Sequence, residues 1–185
     1  MKYKKGIVLK NGEELLLRSL RAEDAQEVLD ICKRTADETL NLMRYADEWR
    51  LTPEQEREHI HHMEIGPKSL MLGAFVRDRL VGIASIAPPS PVDRARHRAS
   101  LGISILKAYW GKGIGTAMMQ ALIDQAEKTA IEQLELQVVS TNEAAIHLYE
   151  RHGFKTFACH PRMLKYRDGQ YADMLLMMLD LRKNS

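Results

Sequence analysis

Trp110-Gly111-Lys112-Gly113-Ile114-Gly115-Thr116 sets three glycines within five residues. The run before it, residues 99–106, reads as a strand. The run after it, residues 113–129, has helical spacing, with Ile114, Met118, Ala121, Leu122 and Ala126 on one stripe. Glycines at a strand-to-helix turn let the backbone bend sharply and approach a ligand with no Cβ between them. The first amides of a helix have no internal partners, and with the helix dipole they favour an anion such as a pyrophosphate. Thr116 adds a hydroxyl there and Lys112 a charge. The known phosphate loops fit poorly. GxxxxGK[ST] fails, and the GxGxxG of a dinucleotide fold has another spacing and belongs near the start of a βαβ unit. A plain turn punctuated by glycines is the alternative reading.

The chain around this turn reads as one domain, residues 1–185, without repeats or a Gly/Ser linker. Residues 15–20 read as the first strand and 22–34 as a helix, with a poor N-cap at Arg21. Thr52-Pro53-Glu54-Gln55 is a full helix-start signal: a capping Thr, Pro at the first position and Gln three residues on. Strands 69–77 and 80–87 follow, joined tightly enough to be a hairpin. Pro88, Pro89 and Pro91 end the second and open a basic loop, 93–98. After the glycine turn and its helix come a strand at 134–139, a helix capped by Asn142 and ending at Gly153, and a last hairpin turning at Asp168-Gly169. Early strands, helical crossovers and a late hairpin describe an α/β chain with a mixed sheet and helices on both faces.

Composition narrows the partners. A net charge of +2 gives no general reason to expect nucleic acid or a membrane surface. The start of the chain is charged with no apolar stretch behind it, and apolar runs such as 174–179 are too short to span a bilayer. A cytoplasmic protein with Cys32 and Cys159 as reduced thiols is expected. His59 and His62 share a helical face, but HExxH is absent, so no metal is expected. The run Arg94-Ala95-Arg96-His97-Arg98 lacks interleaved aromatics and reads as a solvated loop.

Tyr109-Trp110-Gly111-Lys112-Gly113-Ile114-Gly115-Thr116 resembles motif A of the GNAT acetyltransferase superfamily, [Q/R]-x-x-G-x-[G/A]. Trp110 stands where Gln or Arg is usual. Asn142-Glu143-Ala144-Ala145-Ile146-His147-Leu148-Tyr149-Glu150-Arg151-His152-Gly153-Phe154 is similar to motif B, N-x-x-A-x-x-x-Y-x-x-x-G-F, and stands one strand later. The resemblance extends over nearly the whole chain. It implies the GNAT fold: a mixed, mostly antiparallel sheet of about seven strands, splayed between two parallel central strands. By position these are 99–106 and 134–139, with Gly102 near the middle at a bulge or a close backbone approach.

The resemblance further implies an N-acetyltransferase that moves the acetyl group of acetyl-CoA directly to a primary amine. Ile103, Ser104, Ile105 and Leu106 would hold the pantetheine arm as an added strand. Trp110, Gly111, Lys112, Gly113, Ile114, Gly115 and Thr116 would hold the pyrophosphate, and Asn142 would reach the coenzyme from its helix cap. Tyr149 would protonate the departing thiolate. Without motif B, Tyr149 reads as a packing residue. Ser100, Asp93, His97, Glu48, Asp173 and a water chain all stay open as the general base. The segment 35–51 would wall the acceptor, with Tyr45 and Glu48 receiving a cationic amine, a small molecule in preference to a protein. A homodimer stays open. The alternative function is a non-catalytic acetyl-CoA-binding or sensing module on the same fold.

Overall fold

The computed structural model describes residues 1–90 and 92–182, so Pro91 lies outside the described residues. Among the described residues eight strands form one sheet in the order β1-β2-β3-β4-β5-β6-β8-β7. They are β1 (Lys4–Val8), β2 (Glu14–Ser19), β3 (Leu70–Val76), β4 (Arg79–Ala87), β5 (Arg98–Ile105), β6 (Gln133–Val139), β7 (Lys155–Lys165) and β8 (Tyr171–Asp180). Four α-helices accompany them: α1 (Ala25–Glu38), α2 (Pro53–Ile65), α3 (Ile114–Ala126) and α4 (Glu143–Arg151). All strand pairs are antiparallel except β5 with β6.

The extra strand is β1. Its side chains are mostly exposed, so Lys-Lys-Gly-Ile-Val carries no alternation to read. It forms because Asn11-Gly12 turns the chain back onto β2, with Lys4 opposite Arg18 and Val8 opposite Glu14. That Asn-Gly pair is a hairpin signal in its own right.

Two apolar layers cover the sheet. On one face α3 contributes Ile114, Met118, Met119 and Leu122 to a core with Leu17, Leu72, Ile86, Leu134 and Leu136. On the other, α1 and α2 bury Val28, Ile31, Cys32 and Ile60 against Leu20, Phe75, Leu80 and Leu106. The strands alternate between these faces, as the period of two requires.

Helix starts follow local chemistry. Thr52 Oγ1 accepts from Gln55 N–H at 3.3 Å while Gln55 Oε1 accepts from Thr52 N–H at 2.9 Å, so the cap read from sequence is reciprocal. At the first helix the chain makes one 3₁₀ turn, Ala22–Asp24, before α1 begins. Asp24 supplies what Arg21 cannot. Its carboxylate accepts from Arg21 N–H at 2.7 Å and takes both Arg18 guanidinium nitrogens at 2.7 and 2.8 Å.

Buried within the second layer is an acid, Glu56 on α2, 3% exposed. Its carboxylate has no hydrogen-bond partner among the described residues, and burial pushes its pKa up to about 7. The neighbouring Cys32 thiol is pushed up to about 12, by burial first and by Glu56 second. A carboxyl whose folded pKa is raised stabilises the fold at low pH, and that contribution is lost as pH rises through about 7. Glu56→Gln is therefore expected to raise the melting temperature at pH 8 by about 2–6 °C, with the gap to wild type closing at pH 5. Thermal melts of both proteins at the two pH values test this.

Candidate active site

β5 and β6 run side by side for only three residue pairs, Arg98 with Gln133, Ala99 with Leu134 and Ser100 with Glu135. Arg98 closes that end with a bidentate pair to Glu135, at 2.5 and 2.6 Å. Beyond Ser100 the two strands separate. Each keeps its outer neighbour, β5 on β4 and β6 on β8, so the sheet splits at its middle without coming apart. Gly102 is not a bulge: the pairing of β5 with β4 is continuous from Ser100 to Ile105.

The split leaves β5 with an open backbone edge. Leu106 N–H donates to Val81 O at 3.0 Å, which makes Val81 and Leu106 a hydrogen-bonded pair. Gly82 and Ile105 are then a non-bonded pair, as are Ala84 and Ile103 two residues earlier. The amides and carbonyls of Ile103 and Ile105 therefore point away from β4 and into the gap. Leu106 does not. Its N–H is spent on Val81, its side chain is buried in the α1-side core, and it does not line the cleft.

The cleft that opens here has a volume of about 1810 Å³. At the end of β5 one 3₁₀ turn, Lys107–Tyr109, leads into the glycines. Gly111 and Gly113 sit at φ of +73° and +86°, where L side chains are strained, so both positions require glycine. A Cβ on either would meet no protein atom within 4 Å; the space over them is open. Gly115 differs. A Cβ there would come within 3.2 Å of Leu148 and 3.5 Å of Ile105, so its smallness lets α3 pack against α4 and β5. Lys112 Nζ is held by Glu13 at 3.3 Å and lies 4.8 Å from the centre of the Tyr109 ring. Trp110, Ile114 and Thr116 also line the cleft.

α4 supplies the opposite wall. Asn142 caps it, its side-chain oxygen accepting from Ala145 N–H at 3.3 Å, and also lines the cleft. Tyr149 is 6% exposed and packs on Phe154 with ring centres 6.0 Å apart. It also lines the cleft, and its hydroxyl has no hydrogen-bond partner among the described residues. Burial pushes its pKa up to about 12.

The cleft passes through the split to the α1 face. There it is lined by Thr35, Thr39, Asn41, Leu42 and Met43, with Gly102 and Ser104 from β5, Gln137 from β6 and Met174 from β8. All of these are uncharged. The charged lining residues, Lys5, Lys10, Lys112, Asp124, Glu150 and Arg151, belong to β1 and its turn, the glycine turn, α3 and α4.

The sequence profile of the acetyltransferase (GNAT) family matches residues 32–154. This chain belongs to that family. The GNAT chain is 28% identical over 102 residues to an L-amino acid N-acyltransferase of Escherichia coli K12, an alignment spanning 55% of the chain and 59% of the relative. It is 34% identical over 79 residues to the ribosomal protein bS18-alanine N-acetyltransferase of the same strain, spanning 43% and 53%. The chain thus spans little more than half the length of these curated relatives. A GNAT-family acetyltransferase structure from Streptococcus pneumoniae superposes with a TM-score of 0.85 at 29% identity, covering 90% of this chain and 98% of that one. A Salmonella typhimurium structure solved with its cofactor acetyl-CoA gives 0.82 at 20% identity, covering 92% and 96%, a likeness of fold.

Within this GNAT fold the two residues read as an acidic acceptor wall, Tyr45 and Glu48, are engaged in contacts of their own loop and of the last hairpin. Neither Tyr45 nor Glu48 lines the main cleft. Glu48 accepts from Tyr45 N–H at 2.9 Å and so closes its own loop turn. Tyr45 belongs to a strap: its hydroxyl accepts from Arg167 N–H at 3.0 Å, and the Arg167 guanidinium lies 4.0 Å from its ring centre. Arg167 also grips Asp47 through one nitrogen at 2.7 and 2.8 Å. Sequence spacing could not pair residue 47 with residue 167, since the contact exists only when the β7–β8 turn folds over the loop. Of the candidate bases, Asp93 pairs with Arg96, Asp173 accepts from Arg162 N–H, and Ser100 and His97 lie off the cleft. Among the described residues no three His, Cys, Asp or Glu side chains gather as a metal-ligand group. Thr35, Thr39 and Asn41 lie within the segment 35–51 read as a wall and do line the cleft; the sequence singled out none of them, nor Gln137, because uncharged polar residues carry no spacing signal. Both partners of the Asp47–Arg167 pair are exposed, so the pair adds little to global stability. Arg167→Ala is expected to leave the melting temperature within about 2 °C of wild type and to speed amide exchange at residues 45–48 by about two- to fivefold, measured by hydrogen exchange.

Proposed function

We propose that this protein is an N-acetyltransferase that moves the acetyl group of acetyl-CoA directly to a small primary amine. The observation that carries the reading is the conjunction of an open β5 edge, a glycine cradle at the start of α3 and the Tyr149 hydroxyl in one cleft. The fit to the coenzyme is good. The open space over Gly111 and Gly113, faced by the first-turn amides of α3, suits a pyrophosphate. The free backbone of Ile103 and Ile105 suits the two amides of the pantetheine arm. Lys112 is already neutralised by Glu13, so the anion rests mainly on backbone donors.

When bound, acetyl-CoA supplies a thioester-activated acetyl group. The residues of this chain do the rest. The open edge orients the arm, and the two faces of the split deliver the reactants from opposite sides. Tyr149 keeps its proton at neutral pH, because burial raises its pKa to about 12. A thiol of pKa ~8.5 does not take that proton outright. The hydroxyl would instead donate a hydrogen bond to the departing sulfur, and the proton lost by the amine would end on that sulfur, giving the free thiol. The uncharged acceptor face stabilises no ammonium, which favours an amine that arrives as the free base. The strap from Arg167 to Asp47 and Tyr45 roofs the loop on that side, which supports a small acceptor over a protein surface.

Turnover is tested by free-CoA release across a panel of primary amines. Release with any of them excludes a purely binding or sensing role; binding of acetyl-CoA without release from any would overturn the catalytic reading. Tyr149→Phe is expected to lower kcat by about 10²-fold with CoA affinity within about twofold of wild type. Full activity in that variant would return Tyr149 to a packing role.

A further inference from the structure

Trp110 occupies the first position of motif A, where the family pattern has Gln or Arg. Its indole N–H donates to Ile105 O at 2.7 Å. That carbonyl is not an ordinary loop acceptor. It is the last group on the open edge of β5, turned into the gap by the pairing of Val81 with Leu106. Of the four edge groups on Ile103 and Ile105, Trp110 takes one. What remains is donor, acceptor, donor: Ile103 N–H, Ile103 C=O and Ile105 N–H.

The same bond closes the connection between the edge and the glycine cradle. Within residues 105–110, Tyr109 N–H donates to Leu106 O at 2.9 Å and Trp110 N–H to Lys107 O at 3.1 Å. From outside, the Glu38 carboxylate at the end of α1 accepts from Lys107 N–H at 2.6 Å. The indole bond is the one link in this set that joins the edge itself to the residue before Gly111. The ring is 46% exposed at the cleft, so it adds little to the core and its N–H has water as an alternative partner.

We propose that Trp110 is a positioning residue that sets the register between the phosphate turn and the open edge of β5, so that a donor carrying both an arm and a pyrophosphate meets both at once. The inference rests on the reading of the cleft as the acetyl-CoA site. Its consequence is selective. Loosening the link penalises a donor that must engage two places at fixed separation, and leaves a donor that engages only the edge nearly unaffected.

The test compares acetyl-CoA with S-acetylpantetheine, which has the arm and thioester but no nucleotide, in wild type and Trp110→Phe. Phe keeps an aromatic ring and removes the N–H. KM for acetyl-CoA is expected to rise by about fivefold to tenfold, the loss of one hydrogen bond. KM for S-acetylpantetheine is expected to change by less than about twofold, and kcat with saturating acetyl-CoA to hold. An equal rise for both donors would reduce Trp110 to a support of the edge alone, and no change for either would reduce it to an idle surface bond; both results overturn the proposal while wild-type turnover of acetyl-CoA leaves the functional reading intact. A wild type that neither binds nor turns over acetyl-CoA overturns that reading and this one together. Thermal melts and circular dichroism of Trp110→Phe matching wild type separate these outcomes from misfolding.

Discussion

The early end of the β5–β6 pairing is the constraint on which the rest of the molecule depends. Three parallel residue pairs hold the two halves of the sheet together, and the Arg98–Glu135 pair locks them at that point. Past Ser100 each strand is satisfied on one side only. Unpaired backbone groups inside a fold are costly, so such an edge persists only where solvent or a ligand can reach it. The cleft is that access. It exists because the strands part, and its lining comes from both faces of the sheet.

The two faces contribute different chemistry. The α3 and α4 side offers helix-start amides, open space over two glycines and the charged lining residues. The α1 side offers neutral polar groups and methionines. Charged and neutral lining groups are thereby segregated to different sides of the split. The segments that enclose the neutral side are joined by contacts distant in sequence: Tyr45 and Asp47 to Arg167, Leu40 O to the Tyr166 hydroxyl, and Glu38 to Lys107 N–H. The α1 side of the cleft is therefore tied by a hydrogen bond to the connection that precedes the glycine turn.

Particular residues show how far the sequence could be read. Thr52 and Gln55 announced their helix because a cap and its reply lie three residues apart. Gly111 and Gly113 announced a turn because other residues rarely adopt that backbone conformation and are strained in it. β1 escaped because its side chains face solvent, and its only local mark is the Asn11-Gly12 turn. Arg21 looked like a missing cap because the group that serves, Asp24, lies beyond the residue it bonds and is itself fixed by Arg18 on a neighbouring strand.

Local chemistry thus determined the strands other than β1, the start of α2, the glycine turn and both family motifs, since each is encoded within a span of a few residues. Tertiary structure decided which of those residues face the cleft. It drew Glu48 into its own turn and Tyr45 into a strap, turned Leu106 to the core, and left Gly115 and Trp110 in the lining, one close to Leu148 and the other bonded to Ile105 O. A side chain's type and spacing fix what it can bond. Which partner it meets depends on chain segments brought together from far apart, and the contacts between residues 45–47 and 167 form only once the sheet and its last hairpin are in place.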